Sequence, residues 1–121
     1  MSPAQLFQHI AQAVPSFAPV LSEHLHDNGE LLPHVLMGDL LCFVGARIEQ
    51  RGQTAIEVAE ILNTLECEVS GDNADTANAI AVSFLENLEA EPFFSTLYAR
   101  LGPKLRAAHT HIAWPASGRT M

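Results

Sequence analysis

The sequence predicts an all-α fold, a compact bundle of five to six helices that also admits an arrangement as stacked helical hairpins. Three observations carry this. Apolar residues recur at helical spacing through most of the chain, punctuation rich in Pro, Gly, Asp and Asn divides it into pieces of helical length, and no stretch of alternating β-branched residues competes. With 121 residues at 48% hydrophobic, the chain has material for one core and little for two. Residues 1–113 are therefore read as a single helical domain, and 114–121, which lack periodicity, as a flexible tail.

The pieces follow in order. Ser2 and Pro3 read as an N-cap and a first helical position, and Leu6, Phe7, Ile10 and Val14 continue a first helix over 3–14, which Pro15 ends. A short second helix opens at Ser16 or Phe17, carries Val20, Leu21 and Leu25, and stops at Asp27-Asn28-Gly29. The third, over 33–50, is apolar around most of its circumference, with Val35, Leu36, Met37, Leu40, Leu41, Phe43, Val44 and Ile48; that is the pattern of a central helix. Gly38, Cys42, Gly45 and Ala46 fall on one side of it, where small residues would let another helix approach closely, and Gly52 closes the segment.

The fourth helix begins near Thr54, with Glu57 three residues on completing a capping-box pattern. Val58, Leu62, Leu65 and Val69 form its apolar stripe, and Glu57, Glu60, Thr64 and Glu68 the opposite one. A fifth runs over 75–90 with Ala77, Ile80, Ala81, Phe84, Leu85 and Leu88 inward and Asp75, Asn78, Val82, Glu86 and Glu89 outward. Beyond Glu91-Pro92, the residues Phe93, Phe94, Leu97 and Leu101 suggest a helix ending at Gly102-Pro103, and a last one covers 104–112.

Charge narrows the function classes. Fourteen acids oppose six bases for a net charge of −8, and residues 52–99 hold nine of the acids and no Lys or Arg. Such a field repels nucleic acid and anionic membranes and speeds encounter with a basic partner. The densest apolar stretch, 31–48, is broken by Pro33, His34 and Asp39 and is too polar for a membrane span. The first residues lack the basic and uninterrupted apolar regions of a secretory signal, so the expected compartment is the cytoplasm. Cys42 and Cys67 lie in two apolar helical patterns and are expected to be small buried hydrophobes, not a disulfide.

Candidate chemistry is sparse. In Glu23-His24-Leu25-His26-Asp27 the two imidazoles diverge by about 200° on a helix, so they cannot share an ion without unwinding; the plainer reading is a polar helix end that favours their protonated forms. His109 and His111 diverge in the same way, and with Lys104 and Arg106 they make a small basic region able to meet the acidic faces of the fourth and fifth helices or a second subunit. Asp39 is the one carboxylate within the most apolar segment, with Arg47 and His34 as nearby partners and no second carboxylate at helical spacing. No phosphate loop, dinucleotide fingerprint or nucleophile elbow is present, and no cofactor is implied. Glutamates on the fourth and fifth helices argue against a DNA-reading helix.

What remains is surface recognition. Val82 ringed by Asn78, Glu86 and Glu89, with Glu57, Glu60 and Glu68 on the neighbouring helix, makes an acidic face with a small apolar centre suited to a basic protein. Residues 78–88, which include Ser83-Phe84-Leu85-Glu86-Asn87-Leu88, resemble the S-F-L-E-N-L box of small, mostly uncharacterised bacterial helical proteins, some regarded as toxin-immunity proteins. Segments 36–40 and 61–65 sit where such proteins have their preceding helices. The resemblance implies a non-enzymatic protein that neutralises a basic toxin. The competing readings are a metal-dependent enzyme or metal sensor built on His24, His26, Asp27, His109 and His111, and a homo-oligomeric structural protein whose last helix docks on an acidic face.

Overall fold

The computed structural model describes residues 1–51 and 55–113, with nothing but helices and turns among them. Helix α1 (Pro3–Ala13) opens with a reciprocal cap: Ser2 Oγ accepts the Gln5 amide at 3.2 Å while Gln5 Oε1 accepts the Ser2 amide at 2.8 Å. A 3-10 turn (Pro15–Phe17) leads into α2 (Ala18–Asn28). Gly29 closes α2 in the left-handed region at φ 72°, and its N–H reaches the Leu25 carbonyl. Then come α3 (Pro33–Arg51) and α4 (Ile56–Glu68). In α5 (Ala74–Ala79) the Asn73 side chain accepts the Thr76 amide, and the helix passes without a break into a π-helical segment (Ile80–Leu85) and α6 (Glu86–Leu88). The chain ends in α7 (Phe94–Tyr98) and α8 (Pro103–Ala113).

One hydrophobic cluster holds these pieces together. Leu6, Phe7 and Ile10 of α1, Leu36, Met37, Leu40 and Val44 of α3, Val58, Ile61 and Leu65 of α4, and Ile80, Phe84 and Leu85 of the π segment are all buried within it. Each such side chain contributes roughly 1.5–3 kcal/mol relative to exposure. The expected central role of the third helix holds, since α3 packs against α2, α4, α5, the π segment and α7. Helix α4 and the α5–π rod each pack against α1, α3 and α8.

The π turn is the main departure from regular periodicity. The Glu86 amide reaches back five residues to the Ala81 carbonyl, so the turn is wider than an α turn and three consecutive residues, Ser83, Phe84 and Leu85, are buried. Asn87 Nδ2 donates to the Ser83 carbonyl at 3.1 Å inside this wide turn, and Ser83 Oγ shares a 2.7 Å hydrogen bond with His34 Nδ1 on α3. Most of the Ser83-to-Leu88 box thus has a structural account: its apolar members fill the core, and Ser83 and Asn87 pin the irregular turn while Glu86 stays exposed.

Several sequence expectations need correction. Cys42 and Cys67 are free and exposed, because each falls just outside its helix's buried stripe. Of the small residues on α3, only Gly45 is closely approached, and by a ring rather than a helix: a Cβ built there would overlap Phe93. Gly38 has open space around it, and Ala46 is exposed. Gly52, Thr54 and the tail over 114–121 lie outside the described residues. Helix α4 has Ala55 in its N-cap position without a side-chain cap bond, and Ser16 Oγ donates to Glu57 at 2.7 Å.

Candidate functional site

Helices α2 and α3 form a hairpin whose turn is tied by a buried histidine. His24 Nε2 accepts the Leu32 amide at 2.9 Å, and Asn28 Nδ2 donates to the His24 carbonyl at 2.8 Å. This corrects the expectation that both histidines of this pair sit at a polar helix end: His24 is buried and closes the turn, while His26 stays exposed.

Between the two helices lies a groove of about 520 Å³. Helix α2 contributes Val20, Glu23, His24, Asp27 and Asn28 to its wall, and α3 contributes Val35, Asp39, Cys42 and Phe43. Three carboxylates therefore surround an apolar floor, and none of the lining residues is Lys or Arg. Val35 is 52% exposed, an apolar side chain left open to solvent at the groove's mouth. The Cys42 thiol is pushed above its ordinary range, first by partial desolvation of the otherwise exposed residue and then by the negative charges of Glu91, which is not among the groove's lining residues, and of Asp39, which is.

Asp39 is exposed, and neither of the partners offered by sequence proximity pairs with it. His34 bonds to Ser83, whereas Arg47 donates to Gln50 at 3.2 Å, stacks on Phe43 and places Nε 3.8 Å from Glu57 Oε1. The second carboxylate that helical spacing on α3 does not supply comes from α2, because the hairpin brings Glu23 and Asp27 to the same groove. Two one-turn stripes joined by a Gly stop were the signal for this site. It becomes visible only when the two helices are read as neighbours.

The residues expected to form the acidic face divide into two groups. Glu57 accepts from Ser16 and lies by Arg47, Glu68 accepts from the Met1 amino group at 2.7 Å, and Glu89 Oε1 meets His109 Nε2 at 3.0 Å. These three hold the chain to itself. Glu60, Asn78, Val82 and Glu86 are exposed, with Glu60 beside a second, smaller groove near His9 and Thr64. The basic last helix does meet acidic helices within the chain. Glu66 caps it, His109 packs against the rings of Phe94 and Tyr98 and reaches Glu89, and Arg106 donates to the carbonyls of Tyr98, Ala99 and Leu101.

The histidines do not converge. His24 and His109 each have Nε2 engaged in separate parts of the fold, His111 is exposed, and no group of three or more His, Cys, Asp or Glu among the described residues is placed to hold an ion. Nor is any described helix long and apolar enough to cross a membrane.

Comparison with known families places this helical domain. A family model described as a domain of unknown function, DUF7674, matches residues 7–114. The chain belongs to the DUF7674 family. The match runs from within α1 to beyond α8, so the α2–α3 groove and the π turn both lie within the DUF7674 domain. No curated protein and no solved structure matches the chain.

Proposed function

We propose that this DUF7674 protein is a non-enzymatic binding protein that captures a basic segment of a protein partner in the α2–α3 groove. One observation carries the reading: Glu23, Asp27 and Asp39 line a groove floored by the half-buried Val20 and Phe43, with the exposed Val35 at its mouth and no Lys or Arg among its lining residues. Carboxylates of this kind steer a basic partner and set its register, and the apolar floor supplies the desolvated contact that slows its release. The groove supports the role better than the outer faces of α4 and of the rod from α5 to α6, where Glu57, Glu68 and Glu89 already have partners within the chain.

In its most concrete form the reading is a bacterial, cytoplasmic immunity protein that neutralises a basic toxin domain. The net charge of −8 and the resemblance of the Ser83-to-Leu88 box support that direction. The test is a screen of the proteins encoded by neighbouring genes for a basic domain that binds, with affinity measured at two salt concentrations for the wild type and for Glu23→Lys/Asp27→Lys. Tight binding that weakens with salt and falls at least tenfold in the variant is the expected result. Binding unchanged by the variant, or lost only when Glu60 and Glu86 are reversed, overturns the assignment of the groove.

A further inference from the structure

This inference rests on the groove as the binding site and concerns the shape of what enters it. Both walls are regular helices, and the side chains they turn inward recur at one-turn spacing: Glu23 and Asp27 are four residues apart on α2, and Val35, Asp39 and Cys42 follow at four and three on α3. At about 1.5 Å per residue, the lined part of α2 from Val20 to Asp27 is roughly 10 Å long, close to two helical turns.

Such a trough has little to offer an extended chain. The backbone groups of its walls are spent within their own helices, so an extended occupant would leave one row of its own amides and carbonyls without protein partners. A helix arrives with its backbone bonds made and needs only side chains that match. Lys or Arg residues one turn apart would face Glu23 and Asp27, and an apolar residue on the same face would cover Val35 and Phe43. Asp39, on the opposite wall, would take a cation from the other flank of that apolar residue.

We infer that the groove receives a single amphipathic basic helix of two to three turns, contributed by the protein partner. The polar contact is salt-sensitive; the apolar contact is not.

Two synthetic peptides of 18 residues and identical composition test this by fluorescence anisotropy and circular dichroism. One places Leu and Lys on a common helical face at one-turn spacing, and the other distributes the same residues around the helix. The patterned peptide is expected to bind at least tenfold more tightly, to gain helicity on binding, and to lose that advantage with Glu23→Lys/Asp27→Lys. Glu23 and Asp27 are both exposed, so the variant is expected to keep the wild-type fold, and its circular dichroism spectrum checks this. Equal binding of the two peptides, each weakened by the variant, would leave the groove standing and overturn the helical occupant. Binding of neither, or binding that ignores the variant, overturns both.

Discussion

The carboxylate of Glu66 and the backbone of Leu105 are joined across the bundle: Glu66 Oε1 accepts the Leu105 amide at 3.0 Å, while Oε2 accepts the Lys104 amide at 2.8 Å. From α4, this side chain does what an N-cap residue ordinarily does from the helix itself. It covers the amide-rich, positive end of α8, where Pro103 at the first position has no amide to cover. Glu66→Ala is expected to cost about 1–2 kcal/mol in urea unfolding, and Glu66→Gln less, because one oxygen acceptor survives. A Glu66→Ala protein as stable as wild type would show that the contact is incidental.

Gly102 belongs to the same contact. A Cβ built there would overlap the Glu66 carboxylate, so Gly102→Ala displaces the cap it adjoins. The two substitutions are expected to be non-additive. In a Glu66→Ala background, Gly102→Ala should cost no more than about 0.5 kcal/mol, whereas alone it costs about as much as Glu66→Ala. Strict additivity in the double-mutant cycle would separate the two residues.

Gly45 and Phe93 make a second close fit. The ring occupies the space a side chain at Gly45 would need, and both residues are buried. Gly45→Ala is expected to destabilise by about 1–3 kcal/mol through overpacking, even though alanine is the better helix former. Phe93→Leu introduced with it should recover part of the loss. If Gly45→Ala stabilises the protein, helix propensity has outweighed the contact and the ring moves easily.

What could be read from the sequence follows the range of the interaction. The Ser2-Pro3 start of α1, the Gly29 stop of α2 and the buried stripe of α4 are signals confined to a turn or two, and they place these elements well. The π turn was not legible. It goes with the simultaneous burial of Ser83, Phe84 and Leu85 and the Asn87 bond to the Ser83 carbonyl, and a period of 3.6 residues contains no hint of either. Glu57 shows the same limit from another side, since its spacing from Thr54 suggests a local capping box while Ser16, distant in the chain, donates to it. The groove was half legible. Asp39 stood out on α3, but the carboxylates that share its site are on α2 and become its neighbours only through a hairpin closed by His24 and Leu32.

Charge reversal should separate structural from free glutamates. Glu60→Lys and Glu86→Lys, at exposed positions, are expected to change stability by less than about 0.5 kcal/mol. Glu57→Lys removes the acceptor for Ser16 and sets a cation beside Arg47, so a loss of about 1–3 kcal/mol is expected. Glu89→Lys falls between them, since Glu89 is more than half exposed and its pairing with His109 is screened by solvent. Thermal unfolding of the four variants at one pH and salt concentration gives the order. Equal losses at Glu57 and Glu60 would show that the pairing of Glu57 contributes nothing.

Cys42 senses its partial desolvation together with two nearby charges, of which Asp39 belongs to the groove. Burial and the charges of Glu91 and Asp39 disfavour its thiolate, so its pKa lies above the ordinary thiol range. The sign follows. At a fixed pH near 8, a raised pKa leaves less thiolate than in an unstructured peptide, and alkylation by iodoacetamide is slower. Asp39→Asn and Glu91→Gln each remove a negative charge, so each should lower the pKa and speed alkylation, with the pH midpoint of the rate moving downward. Raising salt should act in the same direction on the wild type, because screening weakens both charges, and should do little once both are neutralised. Cys67→Ser in the same protein confines the reaction to Cys42. A rate that stays slow in the doubly neutralised protein would assign the whole effect to burial, and a rate moved by Glu91→Gln alone would show that Asp39 does not act on the thiol.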